Sequence, residues 1–220
     1  MGHHMHRHVR IHAIDRRSRN SLDHTKHSSI DSILNDIKHC ARSLRTLLKT
    51  QLDEARILER LYYKGKNQHR GALFWRHVAE MRRFCSRVDG AQIDVVLDTF
   101  YRSFFDEKFG IGSKSPKGPW THFPDTAFVV FVLARLSACS DLLRKMHSRA
   151  MNAYQSFTLV MKSGIFLQLV LTLAAIASRL RNVSSELQHA LVTATTSVQG
   201  ALIIINIRLS GAHKSWLILP

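Results

Sequence analysis

Apolar residues recur at intervals of three and four along most of this chain, and this spacing constrains its fold more than any other feature. The longest such stretch runs from Ile30 to Tyr62, and others follow Gly71, Gly90 and Pro124. An α-helix repeats every 3.6 residues, so this spacing predicts long amphipathic helices that each bury one face. The predicted fold class is therefore all-α, a helical bundle.

One segment of the predicted bundle, FLQLVLTLAAIASRLR from Phe166 to Arg181, is apolar on every side. A helix of this kind is typical of a protein interior, so we expect one central, buried apolar helix. Its apolar run is shorter than the roughly 20 residues that span a bilayer, and we expect no membrane partner. Asn182 and the Ser184–Ser185 pair predict a break after it. The later ALIIINIRL fits either a helix or a strand by its periodicity, and helix is predicted because a single strand would have no obvious partner.

Two departures from helical spacing suggest how the chain is divided. Residues 1–27 hold seven of the 14 histidines without apolar periodicity, which predicts a disordered, basic, His-rich arm. Residues 28–220 form the predicted helical bundle domain, and a loop at 107–124 carries three of its four prolines. Trp120 in that loop is able to touch a partner, but a loop tryptophan more often folds back onto the core.

The charge balance limits the classes of partner. The chain has 32 lysines and arginines against 16 acidic residues, a formal net charge of +16. This excess predicts a polyanionic partner, nucleic acid first and an anionic membrane second. The three cysteines are far apart and form no C-x-x-C pair, so we expect reduced, buried thiols in an intracellular protein. The first residues show no apolar secretory signal, and none is expected.

The stretch LERLYYKGKNQHRGALFWRHVAEMRRFCSR, from Leu58 to Arg87, concentrates the residue types used in RNA recognition. Between Arg56 and Arg87 nine lysines and arginines stand against two glutamates, with aromatic, amide and imidazole side chains among them. Cations bind phosphate, flat rings stack on bases, and polar groups reach base edges or sugars. The pattern predicts the end of one helix, a polar turn at KGKNQH and the start of a second helix.

The predicted second helix, residues 71–88, has two unlike faces. One face gathers apolar residues from Leu73 to Val88, and an arginine ridge lies opposite, with Glu80 one turn from two of its members. The predicted RNA-binding residues of the turn and the helix are Lys64, Lys66, Asn67, Gln68, His69, Arg70, Trp75, Arg76, Arg83 and Arg87.

The polar turn also admits a structural interpretation. Asn67, Gln68 and His69 are able to cap the two helices, with Arg70 paired to Glu59. RNA contact and helix capping are compatible if different residues of the turn perform them.

No constellation of catalytic residues stands out in the sequence. GIGSK lacks the spacing of a phosphate-binding loop, and the acidic residues are scattered over helix faces. His69 beside Arg70 has the composition of an acid–base pair for RNA cleavage, but no second catalytic partner accompanies it. We therefore expect a protein that is not an enzyme, with no metal site and no cofactor.

The same stretch carries a family resemblance. LERLYYKGKNQHRGALFW followed by a basic amphipathic helix resembles the RNase MRP-specific protein subunit of fungi and its animal relative, the nucleolus and neural progenitor protein. The segment from Phe166 to Arg181 is similar to the second, apolar block of that family, and the likeness covers roughly residues 30–182. Gly65 departs from the family pattern, in which a polar residue is expected. The residues that carry the first block are Leu61, Tyr62, Tyr63, Lys64, Lys66, Asn67, Gln68, His69, Arg70 and Trp75.

The resemblance implies a non-catalytic, RNA-binding structural subunit of RNase MRP, a ribonucleoprotein endoribonuclease that processes precursor rRNA. The implied partners are the RNase MRP RNA component and other protein subunits of the RNase P/MRP particle, with the precursor rRNA substrate nearby. The implied localisation is the nucleus and nucleolus. The alternatives are a pre-ribosomal RNA assembly factor, a basic helical protein–protein scaffold of the nucleolus, and a metal-dependent or His-based nuclease.

Overall fold

The computed structural model describes residues 14–105, 116 and 118–214, with side chains described as far as residue 206. Helices make up most of the described chain, so the predicted all-α class is confirmed. Two short 3-10 helices, Arg19–Ser21 and His24–Lys26, precede the first long helix. In chain order the other elements are β1 Arg16–Ser18, α1 His27–His69, α2 Leu73–Gly90, α3 Ile93–Arg102, β2 His122–Pro124, α4 Thr126–Met161 and α5 Leu167–Lys214.

The chain divides into two compact units. Within the described residues, the first unit comprises Ser43–Gln92 and Ala138–Leu191. The second comprises the described parts of residues 14–42, 93–137 and 192–214.

The first unit buries the apolar faces that helical spacing predicts. Glu54 and Gln51 are also buried, and each has a polar partner. The Glu54 carboxylate lies 2.9 Å from Nε of Arg179, and the Gln51 amide donates to the carbonyl of Cys85 at 3.3 Å. The fully buried apolar residues include Leu58, Val78, Val88, Phe157, Leu173 and Leu187.

The second unit combines helix faces with a two-stranded antiparallel ladder, in which Arg16 lies opposite Pro124. Trp120 is almost fully buried there, and its indole Nε1 donates to the carboxylate of Asp31 at 3.0 Å. The prediction that this tryptophan folds back onto the core is confirmed. Other buried residues of this unit include Ile30, Ile37, Leu97, Phe100, Phe128 and Val198.

Residues 14–26 differ from the predicted disordered arm, because they contain β1 and both 3-10 helices. Leu22 is buried, the Arg19 amide donates to the carbonyl of Thr121 at 2.8 Å, and the Arg19 guanidinium lies 4.5 Å from the Trp120 ring centroid. Strand pairing and single anchoring side chains hold this segment, and neither produces the apolar periodicity on which the prediction relied. Residues 1–13 lie outside the described residues.

The predicted polar turn at KGKNQH is wrong, because α1 continues through it to His69 and is 43 residues long. The chain turns instead at residues 70–72, where the Ala72 amide donates to the carbonyl of His69 at 2.9 Å. Lysine and glutamine are good helix formers, so exposed polar residues at the end of a helix do not require a turn.

Local residue types account for three helix ends. α2 ends at Gly90, and the Asp125 carboxylate caps α4 by accepting from the amide of Phe128 at 3.3 Å. Gly164, with a φ of 69°, separates α4 from α5, a backbone conformation that glycine adopts without steric cost.

α5 contains the predicted apolar segment but is not buried on every side. Leu167 and Leu171 are exposed. α5 also passes through the predicted break, because Ser184 is buried and its hydroxyl donates to the carbonyl of Arg181 inside the helix, at 2.8 Å. The stretch ALIIINIRL is helical, as predicted. The buried residues of the apolar segment are Val170, Leu173, Ala174, Ile176, Ala177 and Leu180.

Among the described helices, α4 is long and apolar enough to cross a membrane by length and composition alone, with an 18-residue window of mean hydropathy 1.7. A third of that window is buried inside the protein. Core helices pass the same test, so this feature alone does not assign a membrane.

Candidate nucleic-acid interface

The end of α1 presents two different faces within the motif YYKGKNQHR. Tyr62, Gly65 and His69 are three to four residues apart and therefore share one side of the helix. That side packs against Trp75 at the start of α2, which is only 3% exposed. The rings of Tyr62 and Trp75 are nearly parallel, with centroids 5.7 Å apart. One side of the motif is therefore a packing element.

Gly65 makes this packing possible. A Cβ atom at position 65 would lie 2.5 Å from Cη2 of Trp75 and 2.9 Å from its Cζ2, closer than a stable contact allows. The indole occupies the space that any other side chain at position 65 would fill. The position where the chain departs from the family pattern is therefore one where its own packing requires the smallest residue.

His69 lies among aromatic rings. Its ring centroid is 5.2 Å from that of Trp75, 5.7 Å from that of Phe74 and 4.6 Å from that of Phe166. His69 is buried, like Trp75, and neither residue presents a ring face to a base in this structure. We therefore assign these two predicted RNA-binding residues to the packing of the motif.

The predicted apolar face of α2 is correct at Phe74 and Val78 but wrong at Leu73. Leu73, predicted to face the core, is 72% exposed, whereas Trp75 is buried. Helical spacing within α2 cannot show that Gly65 leaves room for the indole on α1.

The other side of the motif carries its polar residues into solvent. Within the described chain, none of these side chains pairs with a carboxylate. The ammonium of Lys66 lies 5.4 Å from the ring centroid of exposed Tyr63. The cations on this side are therefore available to an external anion. The exposed members of the predicted site are Lys64, Lys66, Asn67, Gln68 and Arg70.

The arginine ridge of α2 is exposed, as predicted. Its members are Arg76, Arg83 and Arg87. The expected pairing of Glu80 with this ridge is wrong, because its carboxylate lies 3.8 Å from Nη1 of Arg149 and 4.0 Å from Nδ1 of His77. The ridge therefore has no carboxylate partner among the residues that the structure describes.

A groove open to solvent lies between α1 and α2 and continues along the surface of α1, and its lining includes Lys64 of the motif and Arg83 and Arg87 of the ridge. Its two parts share Arg56 and Glu59. The larger part, about 750 Å³, is lined among others by Arg56, Glu59, Arg82, Arg83 and Arg87. The smaller part, about 530 Å³, is lined by Arg56, Glu59, Arg60, Tyr63 and Lys64.

The predicted site leaves out four cationic or aromatic residues of this groove, namely Arg56, Arg60, Tyr63 and Arg82. The three on α1 are spaced by three and four, which places them on one stripe with Lys64, and this signal was present in the sequence. The position of Arg82 depends on how α2 packs against α1, which spacing within one helix does not report.

Two acidic residues line the groove, Glu59 and Asp89, and Glu59 is neutralised by an arginine of the groove. Both carboxylate oxygens of Glu59 accept from Arg82, at 2.5 Å from Nε and 2.7 Å from Nη2, so the alternative pairing of Glu59 with Arg70 is wrong. The Arg82 guanidinium also lies 3.8 Å from the Tyr62 ring centroid. Arg60 and Lys64 remain without a carboxylate partner in the described chain, and the groove keeps a positive charge.

A cysteine thiol also lines the groove. Cys85 lines it, and burial raises the pKa of its thiol to about 11, which keeps the sulfur protonated at neutral pH. The three cysteines are free and buried, as predicted. In the part of the chain that the structure describes, no three His, Cys, Asp or Glu side chains come together as a metal site.

Comparison with known families assigns the chain. A family model described as nucleolus and neural progenitor protein, N-terminal, matches residues 12–195. The chain belongs to this family. The matched span contains the YYKGKNQHR motif, the groove and the apolar segment of α5, and it is longer than the likeness seen in the sequence alone.

The match confirms the resemblance to the animal family, whose description names the nucleolus. The likeness of this nucleolus and neural progenitor family member to the fungal RNase MRP-specific subunit stays a prediction. No curated protein and no solved structure matches the chain.

Proposed function

We propose that this chain is a non-catalytic, RNA-binding structural subunit of a nucleolar ribonucleoprotein endoribonuclease of the RNase MRP type, which processes precursor rRNA. Its partners are the RNase MRP RNA component and other protein subunits of the RNase P/MRP particle. The observation that carries the proposal is the groove between α1 and α2, with its unpaired cations.

The groove fits a nucleic-acid backbone in both charge and chemistry. Arg60, Lys64 and Arg83 are exposed along it without carboxylate partners in the described chain, and phosphates displace counterions at such positions. Tyr63 is 73% exposed beside them, and an exposed ring of this kind stacks on an unpaired base.

A non-catalytic role agrees with the state of the reactive side chains. His69 is enclosed by rings, and the Cys85 thiol is held protonated by burial. In the proposed particle the RNA component supplies the chemistry, and the protein holds that RNA through its cations and the exposed tyrosine.

The salt dependence of RNA binding tests this proposal. In a variant with Arg60, Lys64 and Arg83 replaced by alanine, the affinity for an RNase MRP RNA transcript should fall at low salt. Each lost phosphate contact should reduce the slope of log affinity against log salt by about 0.7 to 0.9, so the slope should fall by about two units. Fluorescence anisotropy at several salt concentrations measures both quantities.

A charge-matched control separates the groove from general basicity. Replacing Arg17, Lys26 and Lys38 by alanine also removes three cations, but from the second unit. This control should retain most of the slope. Equal losses in both variants, or an unchanged slope in a folded groove variant, would contradict RNA binding through the groove.

The RNA recovered from cells distinguishes the proposed particle from a pre-ribosomal assembly factor. After crosslinking and stringent washing, one dominant structured RNA with RNase P/MRP-type proteins would support the particle. A broad spread of pre-ribosomal fragments would support the assembly factor instead. A nucleolar scaffold would show no salt-sensitive RNA binding of its own.

A further inference from the structure

We propose that the first unit has a second interaction surface, outside the groove, that binds an acidic amphipathic segment of a partner protein. This surface, here called the tip patch, consists of Leu73, Ile165, Phe166 and Leu167. It lies where α2 and α5 begin.

All four members of the tip patch are large apolar residues with exposed side chains. Leu73 is 72% exposed, Ile165 57%, Phe166 46% and Leu167 50%. His69 brings the two parts together, because its ring lies 4.6 Å from Phe166 and 5.7 Å from Phe74, the neighbour of Leu73. Grouped exposed apolar side chains of this kind mark interaction sites on soluble proteins.

The backbone at Phe166 has a strained conformation. Its φ is 54°, a left-handed conformation that a bulky residue rarely adopts, and it follows Gly164 at 69°. Phe166 is kept in this strained position with nearly half of its surface exposed, in contact with His69. Strained residues of this kind cluster at binding sites, where the strain keeps a side chain in the position that a ligand needs.

The charge around the tip patch indicates what covers it. No Asp or Glu occurs between Glu59 and Glu80, or between Asp141 and Glu186, and the tip patch is built from these two stretches. Exposed cations lie within four residues of the patch or of His69 beneath it. They are Lys66, Arg70, Arg76 and Lys162.

The helix ends add to this positive rim. The first turns of α2 and α5 contain no acidic residue, and Ala72 before α2 makes no side-chain capping bond. The positive end of the α2 helix dipole therefore lies at Leu73 of the tip patch, and carboxylates stabilise such ends. An apolar centre inside a positive rim is complementary to apolar residues flanked by carboxylates.

A partner protein fits the tip patch better than RNA or a second copy of this chain does. Three of the four patch residues are aliphatic, and bases stack on aromatic or guanidinium planes instead. A second copy would bring the same cations and be repelled. The apolar core and charged rim are the anatomy of a protein–protein interface.

Photo-crosslinking in the native particle tests the assignment. Benzoylphenylalanine is placed at Leu73 or at Leu167 in the full chain, and crosslinked peptides are sequenced after ribonuclease treatment. Both positions should capture one and the same partner segment, with aliphatic residues among Asp or Glu. Leu159, which is 65% exposed but outside the tip patch, is the control position and should not capture that segment.

A double variant supplies the second readout. Leu73→Ser with Leu167→Ser should reduce recovery of the captured partner about tenfold, as expected for truncated hot-spot residues, while Leu159→Ser should not. The salt slope for RNA should be unchanged, so this proposal and RNA binding by the groove can fail separately. Crosslinks to RNA, to a second copy or to a segment without acidic residues would overturn the proposal, as would the absence of any protein crosslink.

Discussion

A single glycine decides how the YYKGKNQHR motif folds. Gly65 lies under the indole of Trp75, and the rings of Tyr62 and His69 complete the contact. Without a side chain at position 65, α1 and α2 approach closely enough to bury the tryptophan. The exposed cations of the motif owe their positions to this buried contact on the other side of the same helix.

Replacing Gly65 by alanine should therefore destabilise the protein. Overpacking against a rigid, buried ring costs about 1–3 kcal/mol. The better helix propensity of alanine offsets up to about 1 kcal/mol of this. We expect a net loss in the free energy of unfolding, measured by urea titration, and a reduced affinity for RNA through displacement of α2.

Gly71→Ala is the matched control, because nothing lies within 4 Å of a Cβ atom there. Its effect on the free energy of unfolding should stay within about 0.5 kcal/mol. If Gly65→Ala proved as stable as this control, the close contact between Gly65 and Trp75 would be wrong.

At the scale of elements, one buried ion pair connects α1 to α5 within the first unit. The Glu54 side chain is 5% exposed, and its partner Arg179 is 64% exposed, with 2.9 Å between Oε1 and Nε. The arginine reaches in from the surface to satisfy a carboxylate in the core. Removing only one partner leaves that carboxylate buried without a counter-charge.

Arg179→Ala should lower the free energy of unfolding by about 1–3 kcal/mol, because the Glu54 carboxylate loses its partner. Adding Glu54→Leu should recover most of that loss, since an apolar pair removes the buried charge. Chemical denaturation of the two variants and the wild type measures both steps.

Arg144→Ala is the control for this pair, because it removes an exposed arginine paired with exposed Asp141 at 2.7 Å. Surface pairs contribute little, so its effect should be below about 0.5 kcal/mol. Equal effects of Arg144→Ala and Arg179→Ala would show that burial of Glu54 is not what matters.

At the scale of the whole molecule, the net charge of +16 is the dominant property. Two of the carboxylates on the groove and the ridge, those of Glu59 and Glu80, are engaged locally and leave neighbouring cations unpaired. The free protein therefore repels itself and gains from any polyanion that neutralises it.

The melting temperature of the free protein should consequently rise as sodium chloride increases from about 50 mM to about 500 mM, because salt screens the repulsion. Differential scanning fluorimetry at pH 7 measures the change. The variant lacking Arg17, Lys26 and Lys38 should show a smaller rise. A melting temperature that falls with salt would mean that attractive ion pairs outweigh the repulsion.

The sequence by itself determined the helical class, most helix ends, the buried thiols and the positive charge that calls for a polyanion. It also located the YYKGKNQHR motif, because the family resemblance depends on residue identities and not on the conformation of the chain. These properties depend on composition, on local spacing and on single capping or breaking residues such as Asp125 and Gly164.

Only the tertiary structure decided which residues of the motif are available to a partner. Helical spacing reports which side of one helix is apolar, but burial depends on the neighbouring helix. For that reason His69 and Trp75 were predicted as contacts and are buried, Leu73 was predicted as core and is exposed, and Arg82 entered the site only when the groove was visible. Ion pairing between helices, as in Glu59 with Arg82, then fixed which cations remain free to bind.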